Sequence, residues 1–374
     1  MSRIHFLPVR YGDSFVIECD KGEHHGVVVV DGGPSGGGGV LSAKLDEVGT
    51  PDLMVLTHYD DDHINGLFSY MKSCWMSGAL PAREIWANCA GNVKKKDEEV
   101  VIELPVEKPR PGFPDVVRSI PQAVKFSRLL DAASQSEDVE WREDLVEGFD
   151  KKFPFAEIEV VSPTEEVREK AINEMDVAAV NVDWEVPVQK KMGGLEEMMV
   201  MNFDLDIPLD ILARNTPKAP DTRVAAQLAN ASSIAFILRC DGLSVLMLGD
   251  CYPHNVEAYL RKKGYSEDNP LRVDYVKVSH HGSKHNTSNE LLDIIQCNRF
   301  ILSTNGEKFK HPDRESVAHI LCHPKRDRNE TVHLYFNCSL EVIERNGEPF
   351  IIPGEQEEWN FEIHENATVI EGLG

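Results

Sequence analysis

Seven consecutive residues, Thr57-His58-Tyr59-Asp60-Asp61-Asp62-His63, place two imidazoles and three carboxylates directly after the apolar run Leu53-Met54-Val55-Leu56. Three adjacent acids repel one another on a packed surface, and a divalent cation among them is the simplest compensating charge. The chemistry this implies is metal binding by His58, Asp60, Asp62 and His63. A polar, solvated turn is the plainer reading of such a short motif.

Two later stretches repeat the arrangement. Ser244-Val245-Leu246-Met247-Leu248 runs into Gly249-Asp250, and Val273 to Val278 runs into Ser279-His280-His281-Gly282-Ser283-Lys284-His285. A single Asp after a strand is more often a helix cap, and a single His is more often structural. Strand ends on one edge of a sheet converge, however, so three such endings can share one site.

The elements that must position these residues read as follows. Residues 3 to 9 and Ser14 to Cys19 are strands around a turn at Tyr11-Gly12-Asp13, and Val27 to Val30 is a buried β-branched strand. The glycine string at 36 to 39 lacks a following Gly-Lys-Ser/Thr, so a phosphate-binding loop is not supported. A short helix is expected over residues 40 to 48. After His63, Asn65-Gly66 reads as a turn into a helix at Leu67 to Met71, and Ile85 to Ala87 as a further strand. Prolines at 105, 109, 111, 114 and 121 mark an irregular insertion over about 92 to 121. Gln122 to Ser134 is expected to be helical, and Ala156 to Val161 a strand. An acidic stretch over about 164 to 222 reads as a second insertion: a solvated excursion, or else a lid or partner surface. Ser233 to Arg239 and Ser244 to Leu248 form a hairpin across Asp241-Gly242, and a helix to Lys263 ends at Gly264. Residues 289 to 296 read as a helix, Phe300 to Ser303 as a strand, and the tail from Val332 as a strand pair around Asn346-Gly347.

The chain has 374 residues, enough for a large core. Its 63 acids against 39 bases give a net charge of -24, so it has no global attraction for a phosphate backbone. Any nucleic acid would be held by local basic residues and metal ions. Eight cysteines without a Cys-x-x-Cys pair indicate neither a zinc finger nor a disulfide framework. The first residues lack a signal-peptide core and no apolar run approaches a membrane span, which points to a cytoplasmic protein with no membrane partner.

The His-x-Asp-x-Asp-His motif, Leu-Gly-Asp and Val-Ser-His-His-Gly-Ser together resemble the metallo-β-lactamase fold, in its branch similar to the hydrolase domain of the competence protein ComEC. Tyr11-Gly12-Asp13-Ser14, Val30-Asp31-Gly32-Gly33 and Asn230 to Ile234 agree with that resemblance, which covers roughly residues 3 to 90 and 230 to 312. It implies one α/β domain over 1 to 374, a four-layer αββα sandwich with the two insertions, and a two-metal site at the sheet edge. His58 and Asp60 would hold one cation, Asp62, His63 and His280 the other, and Asp250 would bridge. Asp60 stands where many relatives have a second histidine, and Asn88 or Cys89 near where a third is often found. Oxygen ligands favour Mn²⁺, with Zn²⁺ close behind. By the same resemblance Asp62 would also belong to the reaction centre. His281, Ser283 and Lys284 would contact a phosphate oxygen, and His311 would serve the leaving group. Asp31 would orient a ligand from behind. The implied activity is a hydrolase of the phosphodiesterase or nuclease type acting on DNA or RNA, on a single strand rather than a duplex. The alternatives are hydrolysis of a small nucleotide or other ester, and a metal-stabilised binding or regulatory subunit that docks a protein partner through the insertions.

Overall fold

The computed structural model describes residues 1–89, 115–135, 138–181, 205–344 and 349–373. Two sheets face each other. The first has the strand order Val369–Glu371, Arg3–Phe6, Phe15–Lys21, His24–Val30, Leu53–Val55, Glu84–Trp86, Glu140–Arg142. The second runs Phe361–His364, Val332–Phe336, Arg299–Leu302, Tyr275–Lys277, Leu243–Met247, Ala235–Cys240, Glu157–Ser162, Asp150–Lys152.

The parity of a strand assigns its residues to layers. Val28 and Val30 enter the core between the sheets with Phe15, Phe236, Val245 and Ile301. Val27 and Val29 point the other way, against Leu41, Leu67, Met71 and Phe126 from the helices that cover the first sheet. The second sheet does the same: Ile237, Leu246 and Phe300 pack outward against Val256, Leu260, Val317 and Leu321. Helix, sheet, sheet and helix therefore form the four-layer αββα arrangement of the metallo-β-lactamase fold.

Strand direction explains where the chemistry gathers. His24–Val30, Leu53–Val55 and Glu84–Trp86 are mutually parallel, and so are Leu243–Met247, Tyr275–Lys277 and Arg299–Leu302. Their carboxyl ends carry Asp31, His58, Asn88, Asp250, His280 and Ser303 to one edge of the sandwich. Asp13 reaches the same edge from the opposite sense, because it precedes the antiparallel strand Phe15–Lys21.

The structure differs from the sequence reading in several elements. The helix after the first ligands spans Asp61–Ser77, so Asn65-Gly66 is not a turn. Gly66 is instead a contact point, since a Cβ there would lie 1.7 Å from the carbonyl oxygen of Gly32. The preceding helix begins at Gly37, within the glycine string. The helix expected from Gln122 begins at Asp115. The acidic stretch is partly integrated: Leu209, Leu212 and Ala213 lie in the outer core of the second sheet, and Ala171 and Met175 in that of the first. The helix expected over 289 to 296 is only Asn289–Leu292, followed by the short strand Ile295–Gln296. In the tail, Val332–Phe336 and Phe361–His364 are parallel neighbours rather than a hairpin. Asn346-Gly347, most of the first insertion and residues 182 to 204 lie outside the described residues.

The close seat of the Asp61–Ser77 helix on the Gly32 loop gives a direct test. Gly66→Ala is expected to lower stability by at least the roughly 1–3 kcal/mol typical of overpacking, read from denaturant unfolding. Gly39→Ala, which meets nothing within 4 Å, is the control.

Candidate metal centre

Four histidines share one design at the sheet edge. Each anchors Nδ1 on an acceptor and turns Nε2 inward. His63 Nδ1 lies 2.8 Å from Asp31 Oδ2, and Asp31 also accepts from Thr57 N at 2.8 Å and Thr57 Oγ1 at 2.7 Å. With its proton given to Asp31, Thr57 Oγ1 is left to accept from His58 Nδ1 at 3.1 Å. His281 Nδ1 lies 2.8 Å from the Ser303 carbonyl oxygen. His280 Nδ1 lies 3.2 Å from Asn286 Oδ1, whose amide is oriented by donation from Nδ2 to the carbonyls of Asp250 and Cys251, both at 3.1 Å. An anchored Nδ1–H leaves the Nε2 lone pair free to ligate, the usual support for a metal-binding imidazole.

The four Nε2 atoms surround one oxygen. Asp250 Oδ2 lies 3.8 Å from His58, 3.4 Å from His63, 3.7 Å from His280 and 3.9 Å from His281. These are poor hydrogen-bond distances but suit ligands that share a cation, whose bonds of about 2.0–2.2 Å place neighbouring donors about 3.3 Å apart. Asp60 Oδ2 stands 3.7 Å from His58 Nε2, while Asp62 Oδ2 stands 3.9 Å from His63 Nε2 and 3.1 Å from His281 Nε2. His58 Nε2, His63 Nε2, Asp60 Oδ1 and Asp250 Oδ1 are buried with no hydrogen-bond partner among the described residues. Orphaned lone pairs of both kinds, aimed at one volume, fit a divalent metal.

The backbone contributes as well. In the turn Ser279–Gly282, His280 and His281 adopt φ of 47° and 56°, a left-handed conformation uncommon in residues with a Cβ. The His280 N–H donates to the Gly249 carbonyl at 3.0 Å, tying the two ligand loops together. Asp60 is the residue before the Asp61–Ser77 helix, yet its side chain makes no capping bond and remains with the centre.

Electrostatics follow from the packing. Burial opposes ionisation of Asp250, but His63, His280 and His281 hold its carboxyl well below the usual range. Burial likewise opposes charge on His281, yet Asp13 and Asp250 raise it to about 10; His280, where burial dominates, falls to about 4.

Asp13 is the member the sequence reading passed over. With His63, Asp250 and His281 it forms a fully buried group whose candidate ligand atoms lie within 4.8 Å of one another. It is ion-paired with Lys277, which also donates to the Gly249 carbonyl at 3.1 Å and lies 3.9 Å from Asp250 Oδ1. The available signal was Lys277 itself, a lysine inside the apolar run Val273 to Val278.

The remaining candidates are distributed unevenly. His281, read as a phosphate contact, is fully buried with Nε2 directed at the carboxylates, so it is inside the centre rather than facing solvent. His311 stands at the rim with its ring 5.1 Å from that of His280 and Nδ1 3.2 Å from Asp313 Oδ2. Lys284 has an exposed side chain, with its backbone N–H on Asp313 Oδ2 at 2.9 Å, and Ser283 is buried. Asn88 bonds the backbone of Leu145 at both ends of its amide, and Cys89 is a buried thiol raised to about 12 by burial.

Residues 7–164 match the model of the Metallo-beta-lactamase superfamily. The match takes in His58 to His63; Asp250, His280 and His281 lie beyond it. Among solved structures, the chain is similar to the metallo-beta-lactamase fold protein YhfI from Bacillus subtilis, with a TM-score of 0.39 and 7% identity, covering 99% of this chain and 100% of that one. No curated protein matches it. No helix among the described residues is long and apolar enough to cross a membrane. The matched segment and the His/Asp cluster agree in pointing to a metal-binding site.

Two substitutions test the supporting residues. Asp31→Ala is expected to weaken metal affinity by about 10- to 100-fold, the usual effect of losing a partner behind a ligand, measured by competition with a chromogenic chelator. Lys277→Met leaves the Asp13 carboxylate buried and unpaired, so it should cost about 3–5 kcal/mol in denaturant unfolding, with much of the loss recovered in Asp13→Leu/Lys277→Met.

Proposed function

We propose that the chain is a dinuclear phosphodiesterase that cleaves DNA or RNA, with a single strand as the favoured substrate, in the branch similar to the hydrolase domain of ComEC. The observation that carries this reading is the ring of four Nε2 atoms around Asp250 Oδ2. His58 with Asp60, and His63 with Asp62, flank it on two sides, so Asp250 is suited to bridge two ions. His280 completes the second set, and His281 lies close enough to serve it too. The carboxylates of Asp60, Asp62 and Asp250 suit Mn²⁺, and the imidazoles keep Zn²⁺ close behind. When bound, such a pair supplies an activated water and neutralises charge on the entering and leaving oxygens of a phosphodiester.

The chain's own residues supply the rest. Asp62 and Asp250 fix the reacting volume. Asp313 holds the His311 ring beside His280, at the side from which a leaving oxygen would be protonated. Lys284 offers a cation at the same rim.

A local basic and aromatic mouth supports a single-stranded substrate despite the overall net charge of -24. Gly12 lies against the backbone of Asp62, which places Tyr11 at the entrance. Tyr11 and Phe309 meet edge to face at 5.8 Å, and Lys308 Nζ stands 4.9 Å and 4.7 Å from their ring centroids. Lys310 is exposed two residues on. Aromatic faces interleaved with lysines are the usual equipment for an unpaired strand.

Chelator-treated protein is expected to be inactive on a generic phosphodiester chromogen and to regain activity with Mn²⁺; Asp250→Ala should lose at least about a hundredfold in kcat/KM. Absence of turnover on chromogen, single strands and duplexes with every metal tried, despite tight metal binding, would favour the regulatory-subunit reading. Phe309→Ala should raise KM for a single-stranded oligonucleotide by about 5- to 150-fold, the value of one base stack, while leaving chromogen turnover unchanged. Asp60→His is expected to move the metal preference from Mn²⁺ towards Zn²⁺.

A further inference from the structure

Away from the sheet edge that carries the centre, a second group of metal-capable side chains lies at the end of the eight-stranded sheet. His333 and Glu362 are direct cross-strand partners on Val332–Phe336 and Phe361–His364, and Tyr335 and His364 are the next pair on the same face. The face is set by parity: Val332, Leu334 and Phe336 turn into the outer core, leaving His333 and Tyr335 on the opposite side. We propose that His333, Glu362 and His364 form a second, independent metal site that takes Zn²⁺.

Three distances carry the proposal. His333 Nδ1 lies 3.1 Å from His364 Nε2 and 3.4 Å from Glu362 Oε2, and the latter two atoms are 4.0 Å apart. A tetrahedral ion with bonds of about 2.0–2.2 Å requires donors about 3.3 Å apart, so a small shift of the Glu362 carboxylate closes the set. As hydrogen bonds the same contacts are poor: only the His–His pair is within range, and the carboxylate lies beyond it on both sides. The three atoms already form one group of possible ligands.

Orientation and access are also provided. The His364 ring is stacked on Tyr335 at 4.4 Å with 12° between the planes, which limits its rotation. Side-chain exposures of 22% for His333, 37% for His364 and 60% for Glu362 leave room for entry and for a water as fourth ligand. Two imidazoles and one carboxylate are a familiar zinc set, and imidazole donors rank Zn²⁺ above Mn²⁺. Arg299, the cross-strand neighbour of His333 on its other side, donates to Asn298 Oδ1 at 3.0 Å, and its charge disfavours a proton on His333, as a ligand requires.

The position gives the ion a structural task. Phe361–His364 is the edge strand of its sheet, and the chain then crosses to Val369–Glu371, the edge strand of the other. A zinc here fastens the last strand of the second sheet just before the chain leaves it to close the first.

The test is zinc stoichiometry by equilibrium dialysis on the full chain, with thermal unfolding alongside. His364→Gln and Glu362→Gln should each bind one zinc fewer than the wild type, or bind that zinc at least about tenfold more weakly, and should lose the corresponding rise in Tm. Asp250→Ala, which impairs only the sheet-edge centre, should retain it. Glu362→Gln is mostly exposed and nearly isosteric, so its result does not depend on the histidine variant folding. Equal zinc content and equal thermal response in the wild type and in both variants would overturn the proposal.

Discussion

The constraint on which the structure depends is the concentration of carboxylates in one dry place. Asp13, Asp31, Asp62 and Asp250 are all buried, with Asp60 beside them. Isolated buried carboxylates are far too costly to keep ionised, so every acid requires a compensating partner. The partners are of two kinds. Asp31 is satisfied permanently by Thr57 and His63, and Asp13 is ion-paired through Oδ2 with Lys277, its Oδ1 left without a hydrogen-bond partner. Asp60 and Asp250 face imidazoles across gaps too long for good hydrogen bonds, and Asp62 faces His63 at 3.9 Å while bonded to His281 at 3.1 Å; those gaps define the volume a cation can enter.

The sandwich meets this constraint through strand direction. Two parallel strand ends from one sheet and three from the other supply Asp31, His58, Asp250, His280 and the Ser303 carbonyl, while the antiparallel strand that begins at Phe15 adds Asp13 from the same edge. Backbone contacts lock the loops to one another: Gly12 against Asp62, Gly66 against Gly32, and the His280 N–H on Gly249. Small residues at these crossings let ligand loops approach to backbone distance, which rigid positioning of the donors requires.

The part of this legible in the sequence was the part encoded locally. Leu53 to Leu56 followed by His58 to His63 announces both the strand and the ligands, and the same holds for Gly249-Asp250 and for Ser279 to Gly282. What escaped depends on partners distant in the chain. Asn65-Gly66 carries a common turn signal, but Gly66 is small because Gly32 presses on it, a reason invisible to local propensity. Asp13 looked like a turn residue because Lys277, which gives it meaning, lies on the other sheet. The divided roles of His280 and His281 are set by what anchors each Nδ1, an Asn286 amide in one case and a Ser303 carbonyl in the other, and two adjacent histidines give no sign of which is deeper.

The distribution of protons in the centre follows from the same anchoring. With Nδ1–H bound to a fixed acceptor, an Nε2 lone pair facing a carboxylate oxygen is repulsive unless something positive lies between. At His281 Asp13 and Asp250 outweigh burial, with the Asp62 Oδ2 contact to Nε2 at 3.1 Å adding to them, and its basicity rises to about 10. At His280 the nearest carboxylate oxygen of Asp250 is 3.7 Å away, and burial prevails instead. Buried carboxylates therefore favour a proton on one imidazole, His281, and burial favours a bare lone pair on the other, His280. A divalent cation that enters must displace the first and engage the second, so its affinity is tied to proton release.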